Sequence, residues 1–269
     1  MQAVLYIGHG TRIKEGVTQF ELFIEKVKAA VDVPIQHHSF IELAEPNIED
    51  GIAACVEQGA TSIAVIPVLL LAAGHAKLDI PEEIDKAKVK FPTVSIQYGR
   101  VIGIDKRMTD MVVDRLVQQG LPLHADEQSQ QQTAVLLVGR GSSDPDANSD
   151  LAKLARLIWE SAPVDHVETC YLAATKPTFD QGLERVQYLP HNKVYVIPYL
   201  LFTGILLKQM DAKITKLNEK LTTKDIVLCD YLGYHPDLIN VIKDRVKETI
   251  ANEVPVNCDA CKYRMAISS

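Results

Sequence analysis

With 269 residues, 47% of them hydrophobic and 23% charged, the chain has the balance of a water-soluble globular protein and the length of two ordinary domains or one large one. A net charge of −7 without any basic block gives no support for a nucleic-acid or anionic-membrane partner, and the longest apolar run, Ile63 to Gly74, carries Pro67 and is too short to span a bilayer. Five scattered cysteines, odd in number, argue against a disulfide framework, and the amino terminus lacks the basic flank of a signal peptide, so the cytoplasm is the expected address.

The first element is an apolar run, AVLYI, that ends in Gly8-His9-Gly10. Its continuous apolar character is that of a strand buried on both faces of a parallel sheet. The two glycines are expected to turn the chain sharply, which leaves His9 at the strand's carboxyl end, the edge where open α/β sheets bind ligands. Further strands are predicted near 35–41, 62–67 and 94–98, with helices near 15–31, 47–59, 81–90 and 105–119 between them. Strands alternating with helices imply βαβ units. After Gly120 the stretch LPLHADEQSQQQ, residues 121–132, has no periodicity and reads as a linker.

The pattern then begins again at an offset of 131 residues. AVLYIGHG at 3–10 matches AVLLVGRG at 134–141, EPNIEDGI at 45–52 matches KPTFDQGL at 176–183, and IPVLLL at 66–71 matches IPYLLF at 197–202. Near the end Asp114-Arg115 matches Asp244-Arg245 after one residue of slippage. The expected architecture is therefore two similar doubly wound α/β domains made by duplication, each with a four-stranded parallel sheet flanked by helices. Their boundaries are placed at 1–120 and 133–269, with the halves facing each other across a cleft.

The repeat also isolates what differs between the halves. His9, Glu42 and His75 stand 33 residues apart, one βα unit each, so all three fall at or past the ends of strands one, two and three. Strand one commonly lies between two and three in a doubly wound sheet, and neighbouring strands are about 4.8 Å apart. The three side chains are thus expected to converge. The second half has Arg140, Ala173 and Leu206 at those positions, which makes the first half the active one and the second a scaffold.

Two imidazoles and a carboxylate suit a borderline divalent metal and leave coordination positions open, as in iron(II) sites. The same groups can serve as general bases near neutral pH. Taken singly, each histidine reads as a hydrogen-bonded loop residue and Glu42 as a carboxylate facing water; their joint placement favours function. Around His75, Pro81-Glu82-Glu83 reads as a helix start, which leaves Leu70 to Ile80 as an apolar loop over the strand ends, matched by FTGILLKQM in the second half. Such greasy lips suit a large flat substrate, or equally the packing of one domain on the other. Arg12, Lys77, Arg140 and Lys208 are candidates to pair with substrate carboxylates, and each reads as readily as a solvated surface charge. The tail carries Cys258-Asp-Ala-Cys261, two thiols without a second pair to complete a metal cluster. Cys55, Cys170 and Cys229 read as small apolar residues, and His37 and His38 open a strand without an evident partner.

In GHGTR at 8–12, FIELAEP at 40–46, IPVLLLAAGHAKLDIP at 66–81 and CDACKYR at 258–264, over nearly its whole length, the chain resembles the class II tetrapyrrole chelatases, and most closely the long, internally duplicated sirohydrochlorin chelatases. That resemblance implies ATP-independent insertion of a divalent ion into a bound macrocycle, without a nucleotide. The ion is iron(II) on the way to siroheme, or cobalt(II) on the way to cobalamin, with nickel(II) also a chemical fit. It further implies that His9 and His75 bind the metal and help remove pyrrole protons, and that Glu42 completes the site. Two fused halves can work as a monomer. The competing readings are a histidine phosphatase, whose arginine before the histidine is here Gly8, and a metal or tetrapyrrole carrier that uses the same trio without turnover.

Overall fold

The computed structural model describes residues 1–124, 132–202 and 205–253. Its first sheet is built from β1 (Gln2–Gly8), β2 (Ile35–Phe40), β3 (Ser62–Pro67) and β4 (Ser95–Tyr98), all parallel and in the order β2-β1-β3-β4. The second has β5 (Thr133–Gly139), β6 (His166–Tyr171), β7 (Lys193–Pro198) and β8 (Asp225–Leu228) in the matching order β6-β5-β7-β8. Position in the sheet explains the sequence pattern. Strand β1 is central and covered on both faces, so Ala3 to Ile7 are all fully buried and uniformly apolar. Strand β4 is an edge, and only Ile96 of its four residues is buried.

Helices α1 (Lys14–Ala30), α2 (Ile48–Glu57), α3 (Ile80–Lys90) and α4 (Lys106–Gln118) fall in the first half. In the second are α5 (Pro145–Ser161), α6 (Phe179–Tyr188), α7 (Ile205–Asn218) and α8 (Pro236–Ile250). None is long and apolar enough among the described residues to cross a membrane. The duplicated segments behave alike at their starts. Asn47 caps α2 by accepting from the Asp50 amide at 2.9 Å, and Thr178 with Gln181 forms a reciprocal capping box at the start of α6. Strand registers repeat too: Ala3 pairs with Ile35 and Ile63, and Ala134 with His166 and Val194. The one-residue slip already separates the fourth strands, since Ser62 pairs with Ser95 and Lys193 with Asp225.

The division into compact units differs from the repeat boundaries. One compact unit holds Met1–Gly103 together with the chain from Pro236, and the other holds Ile104–His235. Helix α4 packs on α5 and β7, while α8 packs on β3, β4 and α1. Each unit is therefore closed by the last helix of the other repeat. The reason is that both helices are amphipathic, and an apolar stripe such as Met108, Met111, Val112 and Leu116 is satisfied by either sheet. Hydrogen bonds then fix the choice. Arg245, 1% exposed, donates to the carbonyls of Val101 at 3.2 Å and Ile102 at 2.7 Å, and Arg115 donates to those of Tyr231 at 2.8 Å and Leu232 at 2.6 Å. Of the expected linker, Leu121 is buried, and 125–131 lie outside the described residues.

The glycines beside His9 do different work from that expected. Gly8 is the last residue of β1 and does not turn the chain; a β-carbon there would meet the Phe20 ring at 2.7 Å. The turn is made by Gly10, at φ +89°, and its counterpart Gly141, at φ +84°.

Candidate metal centre

His9 follows β1, Glu42 follows β2, and His75 follows the loop after β3. Because β1 lies between the other two, the three strand ends are adjacent. Backbone bonds carry the pairing past the strands: Ile41 donates to Gly8 at 2.9 Å, Glu42 to His9 at 3.1 Å, and Val68 to Ile7 at 2.8 Å. His9 and Glu42 are thus held at one level by main chain alone. The positive φ of Leu43, 64°, recurs at Ala174, 61°, so the backbone of this loop belongs to the duplicated scaffold, while Glu42 is replaced by Ala173 in the second half.

The expected convergence is found. One donor atom from each of His9, Glu42 and His75 lies within 4.8 Å of the others. The two imidazoles meet edge to face with centroids 4.8 Å apart, and His9 Nε2 stands 3.7 Å from Glu42 Oε1, too long for a good hydrogen bond. Ligand bonds of ~2.1 Å at tetrahedral or octahedral angles set neighbouring donors ~3.0–3.4 Å apart, so closing the trio on a metal asks for donor atoms up to 4.8 Å apart to approach by more than ~1 Å. All three side chains are partly exposed, between 37% and 46%, which leaves their donor atoms accessible from solvent.

Tautomers favour the same use. His9 Nδ1 lies 3.0 Å from the Gly10 carbonyl, which only accepts, so Nδ1 carries the proton and Nε2 keeps its lone pair. His75 Nδ1 lies 2.6 Å from Asp79 Oδ2, with the same consequence. A cleft of about 430 Å³ opens beside Glu42 and His75, with Glu49, Asp79, Glu82 and Glu83 on its walls. Lys90 holds Glu49 at 2.5 Å and Lys86 holds Glu83 at 2.6 Å, so part of that negative field is neutralised.

The apolar loop expected over Leu70 to Ile80 ends earlier than its composition suggests. From His75 to Asp79 the chain makes a π turn, with the Ile80 amide donating to the His75 carbonyl, and α3 continues from Ile80. Pro81 sits inside this helical start and does not open it. In the second half α7 begins at Ile205, so the FTGILLKQM segment is helical from that point, and 203–204 lie outside the described residues.

Of the four basic candidates, Arg12 is exposed four residues past β1 and Lys77 is half-buried in the π turn, both in the unit that carries the trio. Arg140, exposed at the end of β5, and Lys208, exposed on α7, belong to the other unit. His37 and His38 sit within β2, paired with Leu5 and Tyr6, away from the carboxyl edge. His38 lies edge-on to Phe20 and Phe40, and burial followed by the nearby Lys28 lowers its pKa from the ordinary value. Cys55, Cys170 and Cys229 are free and buried, each thiol pushed up to about 12 mainly by burial, and therefore inert. Cys258 and Cys261 lie outside the described residues. Sequence reasoning missed Asp79 as a partner of His75. The i, i+4 spacing was there to be read, but it signals contact only on a helix, and the segment was expected to be a loop.

The CbiX family model matches residues 3–119 and again 134–249. The sirohydrochlorin ferrochelatase of Priestia megaterium is 44% identical over 94% of this chain and 92% of its own. The sirohydrochlorin cobaltochelatase of the same organism is 41% identical over 99% and 86%. Among solved structures, SirB from Bacillus subtilis with Fe3+ superposes with a TM-score of 0.83 at 42% identity, covering 93% of this chain and 96% of that one.

Proposed function

The chain belongs to the CbiX family, and from that premise we propose that it is a metal chelatase, a lyase that inserts iron(II) into sirohydrochlorin to give siroheme. The observation that carries the site is the convergence of His9, Glu42 and His75 on one point, with both Nε2 lone pairs free.

In the proposed mechanism these residues bind the ion through Nε2 of His9, Nε2 of His75 and a Glu42 oxygen. Three protein ligands leave the remaining positions to water or incoming ring nitrogens, so the ion is handed over and not kept. The macrocycle must lose two pyrrole protons as the ion enters. An imidazole released from the metal is a base of suitable strength for one of them, and the Glu42 carboxylate is a second acceptor. Arg12, Lys77, Arg140 and Lys208 are proposed to pair with substrate carboxylates. The cytoplasm is the proposed location, in keeping with three buried free thiols.

Cobalt(II) insertion is the second reading, favoured by the 41% identity to a cobaltochelatase over nearly the whole chain. One nitrogen–oxygen site binds cobalt(II) more tightly than iron(II), so metal choice rests on handling as well as affinity. An anaerobic assay of sirohydrochlorin with each ion, followed by the absorbance change of the macrocycle, decides between them. Faster turnover with iron(II) is expected. A His9→Ala protein, folded by circular dichroism, that inserts iron(II) at the wild-type rate would overturn the site. A protein that binds ion and macrocycle without accelerating insertion would be a carrier.

A further inference from the structure

We propose that Asp79 is the positioning residue of His75: its carboxylate fixes the imidazole with the proton on Nδ1, so that Nε2 reaches the shared point of the trio with its lone pair free. This rests on the reading of His75 as a metal-binding group.

The geometry is specific. His75 and Asp79 are the first and last residues of the π turn, and Nδ1 to Oδ2 is 2.6 Å, in the range of a charge-assisted bond. A carboxylate in its ionised form only accepts, so the proton resides on Nδ1. Without that acceptor an imidazole at a solvent-facing site is free to rotate about its χ2 and to place the proton on either nitrogen. Only the arrangement with Nδ1 protonated and Nε2 turned inward offers a lone pair at the shared point. His9 solves the same problem with a main-chain acceptor, the Gly10 carbonyl, which no side-chain change removes.

The turn beneath His75 is itself braced. Lys77 donates its amide to the Ala73 carbonyl at 3.0 Å. Because the Ile80 amide is taken by the His75 carbonyl and Pro81 has no N–H, the Ala76 carbonyl lacks a helical donor. The Tyr98 hydroxyl supplies one at 2.8 Å. With the backbone fixed on both sides, the orientation of the ring is the freedom left for Asp79 to remove.

The duplicated half gives an independent observation. At the 131-residue offset, His75, Asp79 and Pro81 correspond to Leu206, Met210 and Ala212, and at the slipped offset Tyr98 corresponds to Leu228. Met210 is 1% exposed, built into the apolar core. Where the histidine is absent, so are its carboxylate partner, the proline that orphans the carbonyl and the hydroxyl that caps it. A role in folding alone would have been useful to both halves; support for His75 is useful to one.

The test uses the full-length protein with Asp79→Ala, Asp79→Asn and His75→Ala. Anaerobic cobalt(II) titration, read by the metal's visible absorption, gives affinity, and long-range proton–nitrogen correlation NMR of the apoprotein gives the His75 tautomer. The wild type is expected to show a protonated Nδ1. Asp79→Ala is expected to lose that preference and weaken cobalt(II) binding by roughly 10–100-fold, with Asp79→Asn intermediate because its amide oxygen still accepts. Cobalt(II) affinity within about two-fold of wild type in Asp79→Ala overturns the proposal. So does a loss of affinity with the tautomer unchanged, which would leave Asp79 as a charge and not a positioner. The underlying site is tested separately: if His75→Ala binds cobalt(II) as the wild type does, His75 is not a ligand, whereas loss in His75→Ala beside normal binding in Asp79→Ala refutes the role of Asp79 alone.

Discussion

A β-carbon on Gly10 would lie 1.8 Å from the carbonyl oxygen of Glu42, far inside any non-bonded contact, and the same clash, at 1.9 Å, would set a β-carbon on Gly141 against the carbonyl of Ala173. The close approach of the two loops is what places His9 beside Glu42, and it is open only to glycine. Gly10→Ala is therefore expected to push the loops apart, lower stability by about 2 kcal/mol or more and abolish cobalt(II) binding. Gly120→Ala is the control: at φ +96° with nothing within 4 Å, it should cost only the left-handed conformation, about 1 kcal/mol, and leave binding intact. Urea unfolding alongside metal titration reads both.

Tyr98→Phe removes the hydroxyl that caps the Ala76 carbonyl while keeping the ring in the core. The carbonyl is left without its donor next to Pro81, at an expected stability cost of about 1–2 kcal/mol. Cobalt(II) binding should weaken less than in Asp79→Ala, because Tyr98 holds the turn and not the ring. Wild-type stability in the variant would mean that water replaces the hydroxyl.

Arg245→Met strips the donors from Val101 and Ile102 and should destabilise by roughly 3 kcal/mol, since these are charged donors to buried carbonyls. Lys106→Met, which breaks an ion pair to Asp110 from a side chain 84% exposed, should change stability by about 0.5 kcal/mol or less. Denaturant midpoints compared at equal m-values check the contrast.

Stability should also depend on the Arg100–Glu248 pair, bidentate at 2.8 Å for both bonds. The hydrogen bond from Arg100 is the largest influence holding the Glu248 carboxyl below its ordinary value. A carboxyl with a depressed folded pKa binds protons more readily when unfolded, so its contribution is fully present above the unfolded value, about 4.3, and is lost as pH falls through the lower folded one. Arg100→Met should lose stability at pH 7 and show a shallower decline between about pH 5 and 3 than the wild type. Parallel acid profiles in both proteins would refute the pairing.

Much of the fold was legible before any coordinates because its causes are local or repeated. AVLYI and AVLLV are apolar throughout since central parallel strands are covered on both faces. Matching EPNIEDGI and KPTFDQGL segments lay at the same constant offset, which tied the two halves into one duplicated plan. The trio could be found because one βα unit per candidate is a spacing that strand order converts into proximity. What escaped were features whose cause is non-local. The helical start at His75 was hidden by Pro81, which reads as a helix opening from sequence but here sits one turn inside, its missing amide offset by Tyr98 from another strand.

Sequence by itself thus determined the element order and the duplication, and it singled out His9, Glu42 and His75 as three residues that converge in the first half. Periodicity and spacing are properties of the chain, and they indicate a doubly wound sheet, in which strand one commonly lies between two and three. Only the tertiary structure decided which sheet each terminal helix closes, because an amphipathic stripe does not name its partner while Arg115 and Arg245 find theirs only across the fold. Only it, too, decided the direction of the two imidazole lone pairs, since a tautomer is set by the acceptor that stands opposite Nδ1: the Gly10 carbonyl for His9 and the Asp79 carboxylate for His75.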